Sequence, residues 1–134
     1  IYDLLHWMLE EEAIDVVKNF DLLVDYEEAI RFVMNYVDEN DYIISCAYDS
    51  IGRDEMKRFF CKDFIDITSS VIRHAAENNG CQMEPEFQQF VAEFYTEALA
   101  GTLVNWVKNR HEKDREKTIG YLTTIIEKAI SNLK

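Results

Sequence analysis

Apolar residues recur three and four positions apart along most of this chain of 134 residues. Because an α-helix has about 3.6 residues per turn, this spacing places the apolar side chains on one face of a helix. The pattern starts at the first residue and returns in the later segments, so it predicts a single all-α domain over residues 1–134. The first apolar face consists of Ile1, Leu5, Met8, Leu9, Ala13, Val16, Val17 and Phe20.

Residues that begin or end helices divide the chain into about six predicted helices. Asp25 and Glu28 have the spacing of a capping box at the start of the second helix. Gly80 can adopt the left-handed conformation that ends a helix, and Pro85 suits the first turn of the next one. The short segment 41–50 contains β-branched residues, but a single strand would have no partner, so we predict a helix there too. The predicted helices are residues 1–20, 26–38, 41–50, 53–77, 86–109 and 114–133.

The charge of the chain argues against direct contact with nucleic acid. Its 26 acidic and 14 basic residues give a net charge of −12. Such a charge repels both the phosphate backbone of DNA and an anionic membrane surface. We therefore expect this part of the protein to bind neither DNA nor a membrane by itself.

The sequence also indicates where the protein works. No apolar run approaches the roughly 18 residues of a membrane-spanning helix, and no basic segment followed by an apolar one opens the chain. Cys46, Cys61 and Cys81 are odd in number and lack CxxC spacing, which argues against a disulfide framework and a zinc site. We expect the reducing cytoplasm.

Motifs that would indicate an enzyme are missing from the sequence. A helical di-iron site needs two Glu-x-x-His motifs, but Asp3, Val71 and Lys108 stand three residues before His6, His74 and His111. The sequence contains no P-loop, no Gly-x-Gly-x-x-Gly and no Gly-x-Ser-x-Gly. We expect no enzymatic activity, no metal and no cofactor.

Gly101 raises a question about the fifth predicted helix. Glycine inside a helix costs roughly 0.5–1 kcal/mol relative to alanine, so something is expected to approach this helix closely. The helix is apolar on two faces, and the sixth predicted helix contains a second glycine, Gly120. We expect these two helices to run antiparallel and to pack against a second copy as a four-helix bundle. Ordinary contacts within one chain are the alternative. The expected interface residues are Phe94, Ala98, Gly101, Ile119, Leu122, Ile126 and Ile130.

Two segments carry a resemblance to a known family. The opening IYDLLHWMLEEE resembles the start of the helix that follows the DNA-binding headpiece of TetR-type transcriptional regulators. The segment FYTEALAGTLVNWV, followed by a last amphipathic helix, is similar to the dimerisation helices of the same family. The resemblance implies an effector-binding and dimerisation domain. It also implies that a helix-turn-helix headpiece precedes Ile1 and supplies the contact with DNA, in a regulator that is more often a repressor.

The resemblance further implies a pocket for a small molecule among the central helices. Bulky aromatic residues there would suit an apolar or aromatic effector. Aromatic residues at helical spacing are also ordinary core residues, and the sequence leaves both interpretations open. The first helix would act as a lever between the pocket and the headpiece. The expected effector-binding residues are Phe32, Tyr36, Phe60, Phe64 and Tyr95.

A second function remains open at this point. The same fold could respond to a partner protein instead of a small molecule. An enclosed cavity of ligand size would favour sensing, whereas a filled core with an exposed apolar patch away from the last two helices would favour a partner protein.

Overall fold

The computed structural model describes residues 2–14, 17, 21, 23–109 and 114–131. All regular structure in these residues is helical, which confirms the predicted all-α fold. None of the described helices combines the length and the apolar content required to cross a bilayer. The helices are α1 (Tyr2–Trp7), continued by a π-helical segment (Met8–Ile14), then α2 (Tyr26–Glu39), α3 (Asp41–Asn78), α4 (Pro85–Asn109) and α5 (Arg115–Ser131).

The first helical segment departs from the predicted continuous α-helix. After α1 the chain continues as a π-helix, in which backbone hydrogen bonds span five residues instead of four. The apolar face is nevertheless the predicted one, since Leu5, Met8 and Ala13 are buried. Ile1, Val16 and Phe20, which belong to the same predicted face, lie outside the described residues.

The predicted capping box at the start of α2 does not form. Asp25 occupies the N-cap position, but its side chain makes no capping hydrogen bond. The helix is held by its buried face instead, where Met34 and Val37 are almost completely buried. Packing of this face outweighs the missing cap, which is typically worth about 1 kcal/mol.

The third and fourth predicted helices form one element, α3, with a kink at Gly52. Gly52 has φ 86° and ψ 169°, a conformation that essentially only glycine adopts without strain. Both sides of the kink contribute to the core, because Ile44 and Ala47 precede it and Met56 and Phe60 follow it.

The part of α3 beyond the kink forms an antiparallel hairpin with α4. Gly80 ends α3 with φ 65°, and Pro85 is the first residue of α4, as the sequence predicts. The register follows from two contacts: the Lys57 ammonium lies 2.8 Å from a Glu97 carboxylate oxygen, and an Arg53 guanidinium nitrogen lies 3.4 Å from the Asn105 amide oxygen. Higher numbers on α3 therefore face lower numbers on α4.

Helix α5 packs mainly on α2, so the expected pairing of the last two helices within one chain is wrong. Two ion pairs hold it there: Arg115 lies 2.9 Å from Asp38, and Arg31 lies 2.7 Å from Glu116. Ile119 of α5 is 1% exposed and completes the core. Burial of Ile119 in the core, with a smaller contribution from the two partly exposed ion pairs, keeps α5 on α2.

Candidate functional site

Tyr36 joins α2 to the π-helical segment. Its hydroxyl lies 2.8 Å from a Glu12 carboxylate oxygen and 3.2 Å from the Met8 carbonyl oxygen, so the two acceptors share one proton. The ring is 7% exposed and belongs to the core. Burial of the phenol and, after it, the bond to the Glu12 carboxylate raise the pKa of Tyr36 above its usual range, so the hydroxyl remains a donor at neutral pH.

Phe60 and Phe64 form a stacked pair on α3. Their ring centroids lie 5.8 Å apart, with planes inclined by 11°. Phe60 is fully buried, whereas Phe64 is partly buried and packs against the core that contains Phe60 and Tyr36. Phe32 of α2 packs against the same core. Four of the five expected effector-binding residues therefore belong to the chain's hydrophobic core or pack against it. We call these four, Phe32, Tyr36, Phe60 and Phe64, the aromatic centre.

Tyr95, the fifth of these residues, lies apart from the aromatic centre. It is partly buried on α4, and its ring makes an edge-to-face contact with Phe94, with centroids 5.6 Å apart. Phe94 is 62% exposed, so this pair belongs to the outer side of α4.

Trp106 adds a polar group to the buried centre. The residue is 3% exposed and belongs to the same core as Tyr36 and Phe60. Within the described part of the chain, its indole N–H has no hydrogen-bond acceptor. A buried donor without an acceptor is destabilising and rare, which makes this position a candidate contact for a ligand. The helical spacing of Trp106 marks it as an apolar residue but reveals nothing about the partner of its N–H group.

His6 connects α1 to α3. Its two ring nitrogens lie 2.9 Å from a Glu10 carboxylate oxygen and 3.5 Å from an Asp63 carboxylate oxygen. Burial raises the pKa of Asp63; the charge of His6 opposes this shift, and that of Glu10 adds to it. Like Tyr36, His6 fastens the first helical segment to a central helix. The sequence does not reveal this pair, because His6 and Asp63 are 57 positions apart.

A groove of about 700 Å³ runs along the outside of the α3–α4 hairpin. Phe90 and Phe94, both more than 60% exposed, supply much of its apolar lining. The apolar spacing along α4 predicts this face of the helix. The α3 residues that line the groove could not be predicted, because the sequence does not show how α3 pairs with α4. The groove is lined by Arg58, Cys61, Lys62, Ile65, Phe90, Glu93, Phe94, Thr96 and Glu97.

Gly101 lies beside the Lys57–Glu97 ion pair next to the groove. A Cβ atom at position 101 would lie 3.6 Å from Cε of Lys57, which is an ordinary contact with a flexible side chain. The Lys57 ammonium lowers the pKa of Glu97. Burial and the negative charge of Glu97 raise the pKa of the Cys61 thiol. Among the residues that the structure describes, then, no backbone approaches Gly101 closely enough to require a glycine.

The expected interface residues fall into three groups. Phe94 and Ala98 are exposed on α4, and Gly101 is partly buried. Ile119 is buried in the chain's own core. The remaining three residues are partly buried on α5, where Gly120 has open space around it and Tyr121 and Ile125 are the exposed apolar side chains. These three are Leu122, Ile126 and Ile130.

Comparison with known proteins gives one match. Residues 25–128 match the TetR-type family whose description is "Transcriptional regulator C-terminal region". The match includes α2 to α4 and most of α5, and therefore the aromatic centre and the groove. Searches of the curated proteins and of the solved structures gave no match. Among the described residues, no cluster of three His, Cys, Asp or Glu side chains is placed to hold a metal ion.

Proposed function

Because this chain belongs to the family of TetR-type transcriptional regulator C-terminal regions, we propose that it senses an effector and dimerises within a regulator. The DNA-binding headpiece of that regulator precedes residue 1. The regulator acts as a repressor in the cytoplasm. The domain has a regulatory role instead of a catalytic one, and it reaches DNA only through the headpiece, because its own charge is −12.

One observation carries this proposal. The first helical segment is fastened to α2 by Tyr36 and to α3 by the His6–Asp63 pair. A headpiece attached before residue 1 would therefore be linked to the aromatic centre through one short segment. An effector that favours one arrangement of this centre would then change the position of the headpiece. Such coupling between two sites is typically worth about 1–3 kcal/mol.

The aromatic centre also indicates the chemistry of the effector. Phe32 and Phe64 are the partly buried members of the centre and are the first that would move to admit a ligand. Tyr36 and Phe60 would line the space that opens, whereas Tyr95 lies apart from it on the outer side of α4. The indole N–H of Trp106, which has no acceptor among the described residues, would donate to an acceptor on the ligand. We propose a small apolar or aromatic molecule that carries one hydrogen-bond acceptor.

Operator binding by the complete protein tests this proposal. The operator is selected from random DNA, and the probes are small aromatic compounds with one acceptor that raise the protein's melting temperature. Tyr36→Phe keeps the ring but removes the bond to the π-helical segment, so operator affinity should respond less to these compounds. The matched control is Tyr42→Phe on α3, because Tyr42 is 82% exposed. A complete protein that binds no DNA, or an unchanged response in Tyr36→Phe, would contradict the proposal.

A second candidate is a domain that responds to a partner protein. The groove beside Phe90 and Phe94 is the feature that favours this alternative, since its α3 side lies away from the last two helices. In that case the groove stays open in the regulator until the partner binds. A complete, dimeric protein whose operator affinity responds to a partner protein bound at this groove, and to no small aromatic compound, would support this candidate over the first.

A further inference from the structure

His6 lies between two carboxylates that belong to different helical segments. Its Nε2 atom lies 2.9 Å from a Glu10 oxygen on the π-helical segment, and its Nδ1 atom lies 3.5 Å from Oδ1 of Asp63 on α3. The ring also lies beside that of Phe59 on α3, with centroids 6.3 Å apart. On α1 itself, the exposed Asp3 precedes His6 by one helical turn. Among the described residues, His6 forms no further ion pair, so this one side chain connects α1 to the π-helical segment and to α3.

The carboxylate of Asp63 depends on His6 for its partner. The side chain of Asp63 is 8% exposed, and its second oxygen, Oδ2, has no hydrogen-bond partner in the part of the chain that the structure describes. Lys62 attracts the charge of Asp63, and Glu10 repels it. Because a buried charge that loses its partner is left uncompensated, the charge of His6 decides whether contact with Asp63 is favourable. Asp63 also stands next to Phe64, so this contact joins α1 to the part of α3 that carries the aromatic centre.

The two contacts of His6 suit the protonated ring. The charge of a histidine ordinarily changes between about pH 5 and pH 8. A protonated ring carries a proton on both nitrogens, whereas a neutral ring carries a proton on one nitrogen and a lone pair on the other. Both nitrogens of His6 face carboxylate oxygens, so loss of the proton turns a lone pair towards Glu10 or Asp63. It also removes the attraction between the ring and the buried carboxylate.

The other attachment of the first helical segment keeps its proton over this pH range. There the Tyr36 hydroxyl donates to the Glu12 carboxylate. Burial and this carboxylate raise the pKa of Tyr36, so the phenol remains a donor at neutral and mildly alkaline pH. His6 precedes Glu12 in the chain. Loss of the His6 proton therefore loosens the end of the segment nearer to residue 1, while the end at Glu12 stays attached to α2.

We propose that His6 makes the attachment of α1 depend on pH: the protonated ring holds α1 on α3, and the neutral ring releases it. The pH then sets how closely α1 follows the aromatic centre. A regulator built in this way responds to its effector more strongly at pH 6 than at pH 8. This last step rests on the proposed function, whereas the release of α1 does not.

Hydrogen exchange of the α1 backbone amides, measured on the complete protein without DNA or added compound, tests the attachment. Dividing each rate by the intrinsic rate at the same pH gives a protection factor, which reports how often the segment opens. In the wild type, protection of α1 should be about two- to fivefold higher at pH 6 than at pH 8, the range expected for a partly exposed ion pair. His6→Gln removes the titrating ring, and Asp63→Asn removes the buried charge. Both variants should lose this pH dependence.

The matched control is His74→Gln, because His74 is an exposed histidine on α3. This variant should keep the wild-type pH dependence. The inference is overturned if wild-type protection of α1 is the same at both pH values. It is also overturned if the pH dependence persists in His6→Gln, or if His74→Gln abolishes it.

Operator binding separates this inference from the proposed function. The change in operator affinity caused by a stabilising aromatic compound should be about two- to fivefold larger at pH 6 than at pH 8 in the wild type, and equal at both pH values in His6→Gln. Protection of α1 that depends on His6, in a protein whose operator binding ignores every compound, would support the attachment and contradict the proposed function. A wild-type response that is equal at both pH values would overturn the regulatory step.

Discussion

The hydroxyl of Tyr36 lies 2.8 Å from the carboxylate of Glu12, across the boundary between α2 and the π-helical segment. The bond connects positions 24 residues apart and places a buried donor against a charged acceptor. It fixes the first helical segment to the helix that also carries Phe32. In the proposed function, movement of the aromatic centre reaches the first segment through this contact.

The first prediction concerns this bond. Tyr36→Phe should lower the free energy of unfolding by about 1 kcal/mol, because one hydrogen bond is lost while Glu12 can still be hydrated. Tyr42→Phe, at a position that is 82% exposed, should change it by less than about 0.5 kcal/mol. Urea unfolding of the two variants and the wild type measures the difference. Equal stability of all three proteins would mean that the bond does not hold the segment.

The second prediction concerns pH and Asp63. Burial raises the pKa of Asp63 in the folded protein, so the folded state binds this proton more tightly than the unfolded state does. The contribution of Asp63 to stability is therefore complete below the unfolded pKa and declines as the pH rises through the folded pKa. Asp63→Asn removes this dependence. The difference in unfolding free energy, wild type minus variant, should fall as the pH rises above the ordinary aspartate pKa of about 4, and a rising difference would contradict the account.

The third prediction concerns the two helical glycines. Among the described residues, alanine fits at Gly101 beside Lys57, and no atom lies within 4 Å of a Cβ atom at Gly120. Each Gly→Ala change should stabilise the fold by roughly 0.5–1 kcal/mol. Urea unfolding of both variants checks this prediction, and a variant less stable than the wild type would contradict it.

The fourth prediction concerns Gly52 at the kink of α3. Alanine at φ 86° is strained, so Gly52→Ala should destabilise the protein by about 1–3 kcal/mol. A steric clash would not be the cause, because no atom of the described residues lies within 4 Å of a Cβ atom at position 52. Gly120→Ala is the matched control, with equally open space but an ordinary helical backbone. Thermal unfolding of both variants checks this, and a Gly52→Ala protein as stable as wild type would mean that the kink relaxes.

Local features of the fold were predictable from the sequence, whereas contacts between distant segments were not. Gly80 and Pro85 mark the end of α3 and the start of α4 because their preferences are local. The packing of α5 on α2 depends on Arg115 and Asp38, which are 77 positions apart. Periodicity shows that a helix has an apolar face but does not say which surface covers it.

The candidate site shows the same division. Spacing alone selected Phe32, Tyr36, Phe60 and Phe64, and the structure places them in or against one core. Their role in binding an effector stays a prediction. The polar groups of the centre could not be predicted in the same way. The Tyr36 hydroxyl bonds to Glu12, and the Trp106 N–H has no acceptor among the described residues. Both facts depend on side-chain geometry, which the spacing of residues along the sequence does not predict.

Operator affinity of the complete protein, measured with and without a stabilising aromatic compound, tests the central claim most directly. The account predicts that the compound changes the operator dissociation constant about 5- to 150-fold in the wild type, which corresponds to roughly 1–3 kcal/mol of coupling. Phe64→Ala should lose most of this response, and Phe87→Ala, which removes an exposed ring outside the centre, should keep it. An equal response in both variants, with their folds confirmed, would contradict a sensing role for the aromatic centre.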